Sequence, residues 1–163
     1  MDSADLERAW SVLATVPDPE VPVVSVVDLG IIREVRIADD DELVVVVTPT
    51  YSGCPAVDAI NVNIVAALQE AGFPRVRIEQ TITPPWTTDD ITEAGRAKLL
   101  AYGIAPPNGS ADKAMLTGDD RPRACPHCGS ADTALVSQFG STACKALYRC
   151  RACREPFDYF KCH

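Results

Sequence analysis

Two Cys-x-x-Cys pairs near the C-terminus are the residues whose type and spacing most strongly predict chemistry in this sequence. Cys125 and Cys128 form the first pair, and Cys150 and Cys153 form the second after a gap of 21 residues. Two such turns can bring four thiolates together as a tetrahedron around one ion, which is the arrangement of structural zinc sites. Rubredoxin-like iron uses the same ligands in the same geometry, so the pattern predicts a metal site and favours zinc over iron.

The predicted metal-binding module covers residues 123–163 and is expected to be a small zinc-ribbon-like β module. The segments "TALVSQF" and "KALYRC" between the two cysteine pairs have the β-branched and aromatic composition of strands. A module of about 40 residues buries little apolar surface, so bound metal would supply much of its folding free energy. Four free buried cysteines are the structural alternative.

Four other residues in this module have ligand or thiol chemistry. His127 lies inside the first cysteine pair and could replace a thiolate, although four cysteines make this unnecessary. Cys144 precedes Lys145, whose positive charge would make a thiol more reactive, and its alternative role is packing. Cys162 and His163 end the sequence as candidate auxiliary ligands.

Cys54 lies far from the other six cysteines, in "TPTYSGCPAV". It directly precedes a predicted helix over residues 55–71, whose N-terminal dipole would stabilise a thiolate. The residue types leave three alternatives open: a nucleophile, a soft-metal ligand or a small buried hydrophobe. A cysteine hydrolase would also need a histidine base, and both histidines belong to the C-terminal module. Because phosphate-binding, dinucleotide and serine-hydrolase motifs are also missing from the sequence, we do not expect an enzyme.

Residues 1–105 contain the elements that must position Cys54. Leu6, Trp10 and Leu13 recur at helical spacing, with Ser3 as the expected N-cap. The runs "IIREVRIA" and "ELVVVVT" flank "DDD" and predict a β-hairpin. The 55–71 helix is followed by a strand in "RVRIEQTI" and by a helix that is expected to begin at its cap, Thr88, and to run through Leu100. The order α-β-β-α-β-α, with a right-handed crossover onto the third strand, predicts an α+β or α/β two-layer domain with a small mixed sheet.

Charge and composition support two domains joined by a linker over residues 106–122, which is rich in Pro, Gly, Asn, Ser and Asp. The chain has 163 residues, of which 47% are hydrophobic and 23% charged, as in folded domains. Residues 121–163 have a net charge of +4, whereas residues 1–120 have −12, which argues against nucleic acid as the main partner. Without a signal-peptide pattern or a membrane-length apolar run, a cytoplasmic location away from membranes is expected.

The stretch "DPEVPVVSVVDLGIIREVRI" together with "TPTYSGCPA" resembles the SufT-like family of iron–sulfur assembly proteins. The resemblance covers residues 5–105, and the matching positions are Asp18, Pro19, Glu20, Pro22, Asp28, Leu29, Gly30, Thr50, Gly53, Cys54 and Pro55. With the C-terminal cysteine module added, the whole chain resembles the PaaD family, the D components of bacterial phenylacetyl-CoA epoxidase systems. Both resemblances imply an accessory protein that helps to mature metal centres.

The resemblance also implies roles and partners. Cys54 would be the contact of a transient iron–sulfur cluster, with further ligands from Cys144, Cys162, a client or a second copy of the chain in a homodimer. Asp18, Glu20 and Asp28 are candidates to line the same pocket, and their alternative role is capping and turn formation. The implied clients are the epoxidase reductase, with its ferredoxin-type cluster and flavin, and the di-iron oxygenase. A structural component that docks through the zinc ribbon and a thiol enzyme acting on CoA thioesters are the alternative functions.

Overall fold

A computed structural model of the chain describes residues 2–50, 54–108, 116, 118 and 121–161. The chain divides into two compact units, Met1–Trp86 and Thr87–His163. Most of the predicted linker, 106–122, lies outside the described residues, and so do Cys162 and His163.

The first unit is a three-stranded mixed sheet with two helices. Strand β2 lies between β1, with which it pairs antiparallel, and β3, with which it pairs parallel. This confirms the predicted hairpin and the helical crossover between parallel strands, and with them the two-layer fold. Its elements are α1 (Ser3–Leu13), β1 (Ile32–Ile37), β2 (Leu43–Val47), α2 (Val57–Glu70) and β3 (Val76–Gln80).

The core of this unit forms where the central strand meets the helices. In β2, "LVVVV", four of the five residues are buried, as expected for a strand paired on both sides. Helix α2 buries Ile60, Ile64 and Leu68, which are spaced four residues apart and so share one face.

Helix α1 begins one residue earlier than the sequence indicated. Asp2, rather than Ser3, is the N-cap: its carboxylate accepts hydrogen bonds from the backbone N–H groups of Ala4 and Asp5 at 2.9 and 3.1 Å. The side chain of Asp5 in turn accepts from the backbone N–H of Asp2 at 3.0 Å. This reciprocal capping box requires an acceptor three residues after the cap. Asp5 satisfies that requirement for Asp2, whereas Leu6 cannot satisfy it for Ser3.

In the second unit, the described residues form a four-stranded sheet, in the order β4-β7-β6-β5, and two helical segments lie before β4 in the sequence. Strands β5, β6 and β7 pair antiparallel, while the short β4 pairs parallel with β7. The sequence predicted β5 and β6 but not β4 or β7. The elements are a 3-10 helix (Thr88–Asp90), α3 (Glu93–Ala101), β4 (Ile104–Ala105), β5 (Thr133–Ser137), β6 (Lys145–Cys150) and β7 (Pro156–Phe160).

The prediction of a single helix from Thr88 to Leu100 is wrong, because the helical conformation is interrupted at Ile91. Ile91 is buried and its backbone is extended, so it ends the 3-10 helix. Thr92 then caps α3 by accepting a hydrogen bond from the N–H of Gly95 at 3.0 Å. Each segment has its own cap, since Thr87 rather than Thr88 caps the first.

Helix α3 and strand β4 belong to the second compact unit, although the sequence placed residues up to 105 in the first domain. Ile104 and Ala105 lie opposite Asp158 and Tyr159 of β7. This pairing joins segments more than 50 residues apart, and local sequence patterns carry no information about it. Among the described residues, no helix has the length and apolar character needed to cross a bilayer.

Candidate metal centre and the Cys54 turn

The four cysteines of the two Cys-x-x-Cys pairs converge at one point of the second unit. The Sγ atoms of Cys125, Cys128, Cys150 and Cys153 all lie within 4.8 Å of one another. The Cys125–Cys153 and Cys128–Cys150 sulfur distances are 3.8 and 3.6 Å. A tetrahedral zinc site with Zn–S bonds of ~2.3 Å has sulfur atoms about 3.8 Å apart, whereas a disulfide requires about 2.05 Å. The geometry therefore fits a metal ion held by four thiolates.

Backbone hydrogen bonds build the two turns that carry these sulfurs. In the first turn, the N–H of Cys125 donates to the carbonyl of Ser130 at 2.8 Å. The second turn joins β6 to β7, and the N–H of Cys150 donates to the carbonyl of Glu155 at 3.0 Å. Because Thr133 of β5 pairs with Cys150 of β6, the hairpin brings the two turns together.

Without a metal ion, the thiols of Cys150 and Cys153 have different pKa values. The hydrogen bond from the backbone N–H of Cys153 is the largest cause that lowers the pKa of Cys150, which falls to about 6. The N–H of Glu155 lowers the pKa of Cys153, but burial and the neighbouring thiols outweigh it and raise this pKa to about 12. The pair therefore carries one thiolate near neutral pH, since a second adjacent negative charge is unfavourable without a cation.

The residue that follows each cysteine pair has left-handed backbone geometry. Gly129 follows Cys128 with φ of +76°, and Arg154 follows Cys153 with φ of +68°. Glycine adopts this conformation freely, whereas a residue with a Cβ atom loses about 1–2 kcal/mol there. The second turn thus has an arginine at the position where the first turn has an unstrained glycine.

His127 and Cys144 lie outside the four-sulfur cluster. The ring of His127 contacts Phe157 edge-on, with 6.5 Å between ring centroids. Cys144 is buried, and its Sγ is 3.0 Å from Oγ1 of Thr142. Lys145, expected to activate Cys144, forms an ion pair with Asp158 at 3.2 Å. A role for Cys144 as an auxiliary ligand stays a prediction.

Cys54 lies three residues before helix α2 and is half-buried. Its carbonyl accepts a hydrogen bond from the N–H of Val57 at 3.3 Å, which forms the turn that starts the helix. Among the described residues, no side chain caps α2 at Ala56, whereas α1 and α3 both have side-chain caps. Within the part of the chain that the structure describes, the N–H groups of the first turn of α2 therefore have no side-chain acceptor, and such groups favour an anion.

Asp18 and Asp28 hold the loop between α1 and β1. The buried carboxylate of Asp18 accepts hydrogen bonds from the N–H groups of Glu20 and Val21 at 2.9 and 2.7 Å. Asp28 accepts from the N–H of Ser25 at 2.8 Å, and the hydroxyl of Ser25 accepts from the N–H of Asp28 at 3.0 Å. Both acids thus form turns, as the capping alternative predicted, while a pocket role for them and for the half-buried Glu20 stays a prediction.

Trp86 supports the same loop, through a contact that the sequence did not predict. Its indole N–H donates to the carbonyl of Leu29 at 2.7 Å, and both residues are buried. Leu29 is the middle residue of the "DLG" segment. In the sequence, the tryptophan itself was the signal for such a contact, because a buried indole N–H usually needs an acceptor.

Comparison with known proteins matches each of the two parts of the chain to a protein family. Residues 6–79 match the family described as iron–sulfur cluster assembly protein, and residues 109–161 match the PaaD zinc beta ribbon domain. A protein of Escherichia coli (strain K12), named as the putative D component of 1,2-phenylacetyl-CoA epoxidase, is 48% identical over 96% of this chain and 93% of its own length. The chain belongs to the PaaD family of phenylacetyl-CoA epoxidase components.

Relatives of this family extend to iron–sulfur protein maturation. Proteins named Fe-S protein maturation auxiliary factor from Porphyromonas gingivalis and Bacillus subtilis are 36% and 32% identical, over 53% and 64% of this chain and 83% and 99% of their own lengths. The crystal structure of a DUF59 domain from Bacillus anthracis has a TM-score of 0.54 at 24% identity, over 59% of this chain and 92% of its own, which shows the shared fold. The findings confirm the resemblance and support an accessory role in iron–sulfur assembly.

Proposed function

We propose that this protein is a non-catalytic accessory component of a phenylacetyl-CoA epoxidase system and helps to assemble an iron–sulfur cluster in another component. The observation that carries the proposal is the position of Cys54, a half-buried thiol beside the N-terminus of α2, for which no described residue provides a side-chain cap. It lies within the segment, 6–79, that matches the iron–sulfur assembly family.

The chemistry of this turn suits a cluster that is cargo. A thiolate is a soft ligand for iron, and the N–H groups and dipole at the start of α2 favour its negative charge and that of the cluster. One cysteine cannot hold a cluster firmly, so the remaining ligands come from the client or from a second copy of the chain. Incomplete ligation keeps the cluster available for transfer.

The client is the reductase component, which requires a ferredoxin-type cluster, and the di-iron oxygenase is the second candidate. The charge division of the chain supports contacts with more than one component, because residues 121–163 are basic while the rest is acidic.

The four-cysteine centre has a separate, structural role, and zinc is the ion we propose for it. Four thiolates complete the coordination shell of zinc and leave no position for a substrate. The ion would hold the two turns of the ribbon together and contribute folding free energy. The native protein should therefore contain one zinc per chain without visible absorption, whereas iron in this centre would give a coloured protein.

The test is cluster loading of the reductase co-expressed with this protein under anaerobic conditions. Iron is measured relative to flavin, because flavin counts the reductase molecules independently of the cluster. The Cys54→Ser variant should lower the iron-to-flavin ratio. Val62→Thr is the control, because Val62 is a 66% exposed residue of α2 without ligand chemistry. A wild-type ratio with Cys54→Ser, at normal levels of folded protein, would rule out the proposal.

A further inference from the structure

Three arginines surround a cleft on the second cysteine turn. Arg149, Arg151 and Arg154 are all exposed, and with Ala134 and Cys150 they line a cleft of about 390 Å³. The proposed metal centre explains why a cysteine is found at position 150, but it does not explain the three arginines.

The strands explain how the cleft forms. Ala134 of the edge strand β5 lies directly opposite Arg149 of β6. Because alanine has only a methyl group, the surface beside Arg149 is left open. The Nε–H of Arg149 donates to the carbonyl of Arg154 at 3.1 Å, which fixes its guanidinium and leaves its terminal amino groups as donors.

Arg154 carries the strongest argument for a role outside the fold. It occupies the left-handed position that Gly129 occupies in the first turn, at a cost in backbone strain. Its side chain has no hydrogen bond or ion pair with any residue that the structure describes, so the contacts that close the turn involve its backbone and leave the guanidinium available. Strained residues of this kind concentrate at binding sites.

The surroundings of the cleft indicate which anion it fits. Arg151 forms an exposed ion pair with Asp132 at 3.4 Å, so a carboxylate already binds at its edge. Leu135 and Val136 on the adjoining strand are 48% and 58% exposed, and β5 is the outer strand of its sheet. Arginines pair with carboxylates in bidentate geometry, and an edge strand can pair with an extended segment. Acidic and apolar side chains on one strand would satisfy both features.

We propose that the cleft formed by Arg149, Arg151 and Arg154 is a docking site for an extended acidic segment of a partner protein. A polyphosphate chain fits less well, because it has no apolar groups to contact the strand beside the arginines. The net charge of −8 of the whole protein would also repel it. The site requires neither Cys54 nor a cluster, so it goes beyond the assembly function and can be tested separately.

The experiment uses the full-length, metal-loaded protein and a fluorescein-labelled peptide of alternating Glu and Val. Fluorescence anisotropy should show saturable binding that weakens with salt. The Arg154→Gly variant should weaken binding about tenfold, the loss expected for one charge-assisted contact. Arg75→Gln is the matched control, because Arg75 is an exposed arginine of the first unit that pairs with Asp40, and it should leave the affinity unchanged.

Arg154→Gly also separates binding from folding. Removal of the strain should raise the thermal midpoint of the protein, with the metal content unchanged, while binding falls. Wild-type affinity in this variant, or no saturable binding of the Glu–Val peptide to the wild type at low salt, would overturn the proposal. Equal affinity for a Lys–Val peptide or for single-stranded oligothymidine would also overturn it. So would self-association of the wild type, seen by sedimentation, that Arg154→Gly abolishes.

Discussion

Replacement of Trp86 by phenylalanine should destabilise the loop that carries the "DLG" segment. The variant keeps an aromatic ring but removes the indole N–H that donates to the buried carbonyl of Leu29 at 2.7 Å. A buried carbonyl without a donor costs about 1–3 kcal/mol, and the smaller ring adds about 1 kcal/mol for the space it leaves. We therefore expect a loss of about 2–4 kcal/mol in the free energy of unfolding of the first unit.

Urea denaturation followed by tryptophan fluorescence measures this loss. The chain has two tryptophans, Trp10 and Trp86, and both lie in the first unit, so the signal reports on that unit alone. With a urea slope of about 1–3 kcal/mol/M for a small domain, the midpoint should fall by about 0.7–4 M.

Trp10→Phe is the matched control, because Trp10 is 37% exposed on α1. It should change the free energy of unfolding by less than about 0.5 kcal/mol. If Trp86→Phe were as stable as this control, the hydrogen bond to Leu29 would contribute nothing and the proposed support of the loop would be refuted.

Three further predictions concern turns and the metal centre. Asp18→Ala should lower the free energy of unfolding by about 3 kcal/mol, because two backbone N–H groups lose their buried acceptor. Asp18→Asn keeps an acceptor oxygen and should lower it by about 1 kcal/mol. The same urea experiment measures both variants, and equal losses would contradict the capping role. Gly129→Ala should cost about 1 kcal/mol through backbone strain alone, since an added Cβ meets no atom of a described residue within 4 Å. An unchanged thermal midpoint of the metal-loaded protein would contradict this. Zinc affinity, measured by chelator competition, should fall with decreasing pH. Cys153, with its pKa raised to about 12, must release a proton throughout the neutral range, and Cys150, with its pKa lowered to about 6, must do so only below that pH. These two thiols alone should give about a tenfold loss per pH unit above pH 6 and a steeper loss below it, and a pH-independent affinity would be inconsistent with thiolate ligands.

The spacing of the cysteines was sufficient to predict that their four sulfur atoms converge at one point. Two Cys-x-x-Cys turns can converge on one point once a hairpin joins them, and the strands between them have a recognisable composition. The same holds for the first unit, in which hydrophobic periodicity predicted α2 and the β1–β2 hairpin. In each case, residues close in sequence determine the structure, so local patterns carry the information.

Capping and helix boundaries were less predictable. Ser3 and Thr88 both have good N-cap side chains, but Asp2 and Thr87 hold those positions, and Ile91 divides the predicted third helix. The outcome at α1 depends on which neighbour can return a hydrogen bond. At Ile91 it depends on burial of one side chain in a core that local sequence does not define.

The sequence by itself determined the convergence of the four cysteines, the family resemblance and the two-layer arrangement of the first unit, because these depend on residue type, spacing and periodicity. Only the tertiary structure decided that β4 pairs with β7, that Trp86 holds the carbonyl of Leu29, and that Arg154 takes a strained conformation beside Arg149. The pairings of β4 and of Trp86 join residues more than 50 positions apart, and the strain at Arg154 arises from the closed turn. Contacts of this kind are set by the packing of the whole chain, which no local pattern records.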